Sequence, residues 1–263
     1  MLRLFLGLVL IVIWGPAYAH EFWIAPLKYQ VSVGENVDAH FIVGQDFNGA
    51  KSAYVPRRTT QSLTVQKGFV AKYNGTVGDR PAMQVERPQS GLLIIAHETR
   101  DDTLTYREWE KFVSFVEHKD FQGALERHAA RGLPQTGFTE TYRRYGKSLI
   151  AVGDGAGSDK RLGLDVEIVA LTNPYTSNES TVDVQVWQGD TALTDVQVEV
   201  FAKSPSGDVN VTLLRTNGNG VASVSVKAGY EYQIDHVVLE ERDPANGAAW
   251  HSLWANLTFA VPG

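Results

Sequence analysis

The fold is decided by the stretch TLLRTNGNGVASVSV, residues 212–226. Two short runs flank its centre, Asn217-Gly218-Asn219-Gly220, whose residues tolerate the positive φ values of tight turns. The region around it repeats this pattern in seven short runs, at residues 164–170, 181–187, 197–203, 212–216, 221–226, 230–239 and 252–261. Seven short strands in about 100 residues predict an immunoglobulin-like β-sandwich.

The preceding residues also favour short strands. The runs lie at residues 22–26, 29–33, 37–43, 62–65, 70–73, 92–97 and 141–152, separated mostly by Gly, Asn, Asp and Pro. We expect residues 29–33 and 37–43 to pair as a hairpin, and residues 141–152 to close a first sandwich. Apolar residues at helical spacing predict a short helical insert at about residues 105–132.

The composition of residues 154–163, rich in Gly, Asp and Ser, predicts a linker. The expected fold is therefore all-β, with two immunoglobulin-like β-sandwich domains. The N-terminal domain would comprise residues 20–153 and contain the helical insert, and the C-terminal domain would comprise residues 164–263.

The first nineteen residues have the pattern of a cleavable signal peptide. A basic start and an uncharged apolar run precede Ala17-Tyr18-Ala19, a typical cleavage site. The apolar run is shorter than the approximately 20 residues that cross a bilayer as a helix. We therefore expect export to the periplasm, cleavage after Ala19, and no transmembrane segment in the mature protein.

Charge and composition narrow the function. The 263 residues carry a net charge of −6 and include no cysteine. An acidic chain is a poor partner for nucleic acid, and a metal site in it would need His, carboxylate, amide or backbone ligands rather than thiolates. We find no HExxH motif, P-loop, GxGxxG or nucleophile elbow. The sequence therefore favours a binding protein over an enzyme.

The expected cleavage would leave His20 as the first residue. Its α-amino group and imidazole would then chelate one ion, and such nitrogen ligands favour Cu(II) and Ni(II). His236 offers a second imidazole within a strand near the other end of the chain. We expect the fold to bring the two together.

Four sequence features together resemble a known family. They are His20-Glu21-Phe22-Trp23, Gly44-Gln45-Asp46-Phe47, a Glu-x-Tyr-x-Arg-x-x-Lys-x-Leu pattern that begins at Glu140 and leads to Gly153, and the segment from His236 to the run at residues 250–259. This combination resembles an exported bacterial family of unknown function, also labelled the nickel-uptake, NikM-like family. The resemblance covers essentially all of the mature chain.

The resemblance implies a periplasmic two-part β-sandwich protein, often encoded with metal or TonB-type uptake systems. Our first hypothesis is therefore a protein that binds nickel, cobalt or copper for a membrane uptake system. By this resemblance, His20 and His236 are metal ligands, and Asp46 is a ligand or orients one. The two weakest candidate ligands are Gln45, which stands where many relatives have histidine, and His251, which is not a fixed family position.

Two alternatives stay open from the sequence. One is a non-catalytic immunoglobulin-like adaptor of an envelope uptake system, in which the histidines are incidental. The other is a copper oxygenase that uses an N-terminal histidine brace.

Overall fold

The computed structural model describes residues 20–263, which form eighteen strands and two α-helices. The strands are β1 Glu21–Pro26, β2 Gln30–Val31, β3 Val37–Gln45, β4 Asn48–Ser52, β5 Thr59–Gln66, β6 Phe69–Lys72, β7 Met83–Val85, β8 Gly91–Thr99, β9 Asp102–Tyr106, β10 Phe138–Val152, β11 Val166–Ala170, β12 Thr181–Gln188, β13 Thr191–Ala192, β14 Gln197–Lys203, β15 Val209–Arg215, β16 Val221–Ser225, β17 Glu231–Glu241 and β18 Trp250–Ala260. The helices are α1 Trp109–His118 and α2 Ala124–Ala130. The predicted signal peptide, residues 1–19, lies outside the described residues.

These strands form three sheets. The first sheet contains β1, β3, β4 and β7, and the third contains β11, β12, β13 and β16. The ten-stranded central sheet has the order β15-β14-β17-β18-β10-β8-β5-β6, and β2 and β9 also pair with β10. Packed sheets with a short helical insert confirm the predicted all-β sandwich class. Neither helix in residues 20–263 has the length and apolar character needed to cross a membrane.

Strand β8 shows how the three sheets are layered. Leu92 and Ile94 pack into the core beneath the third sheet, whereas Leu93 and Ile95 pack into the core beneath the first sheet. Because successive side chains of a strand point to opposite faces, the first and third sheets cover opposite faces of the central sheet. This double burial explains why residues 92–96 form a continuous apolar run.

The helical insert lies on the same face of the central sheet as the first sheet. In β18, Leu253 packs under the third sheet, whereas Trp254 packs against α1, where its ring stacks on that of Phe115 at 5.6 Å. On the same face of β18 as Trp254, Thr258 donates a hydrogen bond to the carbonyl oxygen of Ile24 in β1, at 2.7 Å. Strand β18 therefore carries both α1 and β1 on one face.

The pairing of β1, β2 and β3 differs from the predicted hairpin. Strand β3 pairs with β1, in register from Glu21↔Gly44 to Pro26↔Ala39, and β2 pairs in parallel with β10. The hairpin prediction was wrong because β2 has only two residues and its one buried side chain, Val31, belongs to the core shared with β10. The alternation of apolar and polar residues identified the strands here but not the strands they pair with.

Residues 141–152, expected to close a first sandwich, pair with strands of both predicted domains, with β8 on one side and β18 on the other. Strand β10 lies in the middle of the central sheet and pairs in parallel with β18, from Glu140↔Trp250 to Ser148↔Thr258. The central sheet therefore crosses the boundary between the two predicted domains, and their division stays a prediction. Asp159 of the predicted linker is buried and contacts Lys147 of β10 at 3.0 Å, so this segment packs against the sheet.

The close pairing of β3 with β4 requires glycine at position 44. A Cβ atom there would lie 2.0 Å from the carbonyl oxygen of Asn48. We expect Gly44→Ala to lower the free energy of unfolding by about 1–3 kcal/mol, measured by urea denaturation, because the strands must separate to admit the methyl group. The control is Gly218→Ala, where nothing lies within 4 Å. Equal loss in the two variants would contradict this steric explanation.

Candidate functional site

A row of residues crosses the central sheet beneath the start of β1. Glu199, Asp235 and Asn256 are paired neighbours on β14, β17 and β18, and Gly146 of β10 pairs with Asn256. A Cβ atom at Gly146 would lie only 2.8 Å from the ring of Phe22. The absence of a side chain at position 146 thus lets β1 approach the sheet and brings the N-terminal residues to this row.

Lys119 inserts its ammonium group among three acidic side chains. It follows the last residue of α1, and its Nζ lies 2.9 Å from Glu199, 3.0 Å from Asp235 and 4.0 Å from Glu21. All four side chains are at most 3% exposed. Although burial lowers the pKa of Lys119, the charges of Asp235, Glu199 and Glu21 raise it above the usual lysine value. Lys119 is therefore a permanently charged group at the centre of the cluster.

Glu21 is the least compensated member of this cluster. Its Oε2 is buried and has no hydrogen-bond partner within residues 20–263. Burial and the neighbouring carboxylate of Asp235 raise the pKa of Glu21 to about 8. One ammonium group cannot compensate three buried carboxylates, so Glu21 holds a proton at neutral pH.

His236 is the next residue of β17, and its buried side chain points to the opposite face of the strand from Asp235, the face on which Ile234 packs into the core beneath the third sheet. The pairing of β14 with β17 ends at Glu199↔Asp235, and beyond it the Nδ1 of His236 donates to the carbonyl oxygen of Gln197 at 2.8 Å. A carbonyl only accepts, so this bond fixes the tautomer that leaves a lone pair on Nε2. That Nε2 is buried and has no partner in the described part of the chain. Burial lowers the pKa of His236 to about 4, so the ring is neutral.

Three of the predicted site residues lie together at the end of the first sheet. Glu21↔Gly44 is the last pair between β1 and β3, and His20 and Gln45 are the next residues on these strands. Asp46 is exposed in the two-residue turn that follows, with φ of 52°. His20 is exposed, and its carbonyl oxygen accepts a hydrogen bond from Arg144.

The contacts of Lys119 link this group to strand β17. Lys119 contacts Glu21, which follows His20, and Asp235, which precedes His236. The imidazole of His236, however, is on the other face of β17 from Asp235. That His20 and His236 meet stays a prediction. Within residues 20–263, however, no three His, Cys, Asp or Glu side chains form a group that could hold a metal ion. A chelate here would need the amine of a processed His20 as an additional donor.

His251 lies elsewhere. It pairs with Glu240, whereas His236 pairs with Ala255, so four residues of β18 separate the two positions. At about 3.3 Å per residue this separation is roughly 13 Å. The Nδ1 of His251 instead contacts the hydroxyl of Thr141 at 2.8 Å and the carbonyl oxygen of the same residue at 3.1 Å. The Nδ1 of His251 therefore has a hydrogen-bond partner in Thr141, and this residue lies away from His236.

We did not predict Glu21, Lys119, Glu199 or Asp235 as parts of a site from the sequence. A usable signal was present for two of them, because Glu199 and Asp235 are acidic residues within otherwise apolar or polar-neutral strand segments, residues 198–202 and 232–239. Charged residues are rarely buried unless they are paired. No local pattern marks Lys119, which follows a helix and meets both carboxylates only through the fold.

Comparison with known families gives a clear assignment. A domain of unknown function, DUF4198, matches residues 17–235. The chain belongs to the DUF4198 family. The match includes β1, the turn at Asp46, Lys119 and Asp235, and it ends one residue before His236. No curated protein matches this DUF4198 chain.

Solved structures give only distant similarity to this DUF4198 protein. The D0-D1 domain of intimin is 11% identical, covers 90% of this chain and 97% of its own, and has a TM-score of 0.21. A tetra-tandem repeat in the extending region of a large adhesion protein is 10% identical, covers 92% of this chain and 49% of its own, and also has a TM-score of 0.21. Similarity at this level carries no argument about function.

Proposed function

We propose that this protein binds a transition metal ion, Ni, Co or Cu, as an exported accessory protein of a membrane uptake system. The donors would be the amine and imidazole of His20 and the Nε2 of His236, with Glu21, Gln45 or Asp46 as an oxygen ligand. The ion would be cargo rather than a catalytic cofactor. The resemblance to nickel-uptake proteins supports this proposal.

The observation that carries the proposal is the hydrogen bonding of the His236 ring. Metal-binding histidines commonly donate one ring N–H to a carbonyl oxygen, which orients the other nitrogen toward the ion. His236 has this arrangement with Gln197, and its Nε2 is buried without a partner in the described residues. A buried polar atom without a partner costs about 1–3 kcal/mol. A ligand that accepts the lone pair would recover this cost.

The position of Glu21 supports a metal site beside His20. Its Oε2 is buried without a partner in the described residues, as is the Oδ1 of Asn256, and its backbone directly follows His20. Carboxylate oxygen and imidazole nitrogen together suit borderline divalent ions. The cluster therefore offers mixed nitrogen and oxygen donors once the chain begins at His20.

The test is metal titration of the protein purified from the periplasm, after intact-mass analysis of its N-terminus. We expect a chain that starts at His20 and binds one Ni(II) or Cu(II), measured by isothermal titration calorimetry. His236→Ala and His20→Ala should each weaken binding by about tenfold or more, because each removes a nitrogen ligand.

The matched control is His40→Ala, a histidine of β3 whose Nδ1 also lacks a partner among residues 20–263. It should bind metal as the unsubstituted protein does. Equal binding by all three variants, or a folded protein that takes up no metal, would refute the proposal and favour the adaptor alternative. Oxidation of a polysaccharide by the Cu(II)-loaded protein with a reductant would favour the oxygenase alternative instead.

A further inference from the structure

A second site is suggested by a cavity of about 480 Å³ between the first sheet and the ends of β8 and β10. Its floor is aromatic and consists of Phe22, Phe41 and His97, each at most 5% exposed. The rings of Phe41 and His97 lie 4.0 Å apart. Burial lowers the pKa of His97 to about 3, and its Nδ1 is hydrogen-bonded to the hydroxyl of Ser62 at 2.8 Å. The floor is therefore uncharged at neutral pH.

The rim of this cavity is strongly basic although the whole chain is acidic. The cationic residues that line it are Lys51, Arg57, Arg58, Arg80, Arg100 and Arg144. Two carboxylates also line it, but Asp101 is paired with Arg143 at 2.6 Å. In the described part of the chain, Asp102 is thus the one carboxylate of the lining without a salt bridge. Six cations line the same cavity.

In the part of the chain that the structure describes, these cations form no salt bridges. Within residues 20–263, none of the six has a carboxylate within 4.0 Å. Arg144 lies over the ring of Tyr142 at 4.5 Å, and its Nε is buried and has no hydrogen-bond partner in the same residues. Gathering like charges around one cavity costs free energy, which a bound anion would recover.

We propose that this cavity binds a small organic anion with two or more carboxylate or phosphate groups and a planar apolar part. The anionic groups would pair with the rim arginines, whose planar guanidinium groups form bidentate hydrogen bonds to such oxygens. The planar part would lie against Phe22 and Phe41. The volume is in the range of small-molecule sites, and the concave shape with an aromatic floor favours a compact ligand over a polymer.

The test uses benzene-1,2,4-tricarboxylate as the probe, titrated by calorimetry into the folded protein in buffer freed of metal with a chelating resin. We expect one binding site, weakening as NaCl rises from about 50 to about 300 mM because charge pairing is screened. Citrate and inorganic phosphate should bind at least tenfold more weakly, since neither has an aromatic ring. Benzamide, which carries no charge, should not bind.

The decisive variant is Arg57→Gln/Arg100→Gln, and the matched control is Lys72→Gln/Arg107→Gln, which removes two exposed charges outside the cavity lining. The first should weaken tricarboxylate binding at least tenfold and the control should not. His236→Ala should also leave it unchanged, because this site does not depend on metal binding. Equal affinities in the two double variants, or no binding of any probe, would overturn the proposal. Equal affinity for citrate would overturn the role of the aromatic floor.

Discussion

Replacement of Lys147 by Met is expected to lower the free energy of unfolding by about 3–5 kcal/mol at pH 7. Lys147 is 2% exposed, and its Nζ lies 3.0 Å from both Asp159 and Glu167, which are each 1% exposed. Met fills a similar volume without a charge, so two buried carboxylates lose their cation. This loss is a large part of the roughly 5–15 kcal/mol that keeps an ordinary domain folded.

The loss should depend on pH in a direction that the structure fixes. Burial already raises the pKa of Asp159, and the charge of Lys147 is the largest influence that lowers it. In Lys147→Met that pKa rises further above its unfolded value. A carboxyl group with a raised folded-state pKa favours the folded state at low pH and loses this contribution as pH rises. We therefore expect the deficit measured by urea denaturation to shrink from pH 7 to pH 4.5.

The control for this prediction is Lys203→Met. Lys203 pairs with Glu231 at 3.2 Å, but the two side chains are 36% and 40% exposed. An exposed pair contributes at most about 1 kcal/mol, so this variant should be nearly neutral at both pH values. A deficit for Lys147→Met that is equally small, or one that grows as the pH falls, would show that the buried charge does not have the assigned role.

Replacement of Lys119 by Met is expected to have a similar effect, about 3–5 kcal/mol at pH 7. The variant removes the ammonium group between Glu199 and Asp235, which stay buried side by side, and it removes the contact between that group and the ring of Trp254 at 5.0 Å. Thermal and urea denaturation should both report the loss. Lys203→Met again provides the control for the charge of an exposed lysine.

A compensating variant separates lost charge pairing from lost packing. In Lys119→Met/Glu199→Gln/Asp235→Asn, no uncompensated charge remains at these positions, and the side-chain volumes are nearly unchanged. We expect the triple variant to recover more than half of the stability lost by Lys119→Met, because the main penalty is an unpaired buried charge. A triple variant less stable than the single one would indicate that the carboxylates contribute mainly through hydrogen bonds to other groups.

Alternation and turn residues were sufficient to predict most strands. All seven predicted strands of the second half are present as β11, β12, β14, β15, β16, β17 and β18, and the helical insert is present as α1 and α2. These patterns are local, since they reflect which face of a strand is buried. Even the turn at Asn217 was identified, although β15 and β16 on either side of it belong to different sheets.

Strand partners could not be predicted in the same way. The parallel ladder between β10 and β18 joins residues about 110 positions apart in the chain, and no feature of Tyr142 or Leu253 specifies that distance. The candidate site depends on this pairing, since β18 positions Asn256 beside Asp235. Thus His20 and His236 were predictable as isolated candidates, whereas the charge of Lys119 between their neighbours was not.

The place of β18 in the sheet has a consequence for how the chain folds. The final described strand lies between β10 and β17, so the largest ladder forms only when residues 250–260 are available. Until then, β10 has an open edge that can pair with another molecule. Contacts between residues far apart in sequence also slow folding. A chain in which this last strand is displaced would therefore expose an unpaired strand edge, which favours aggregation.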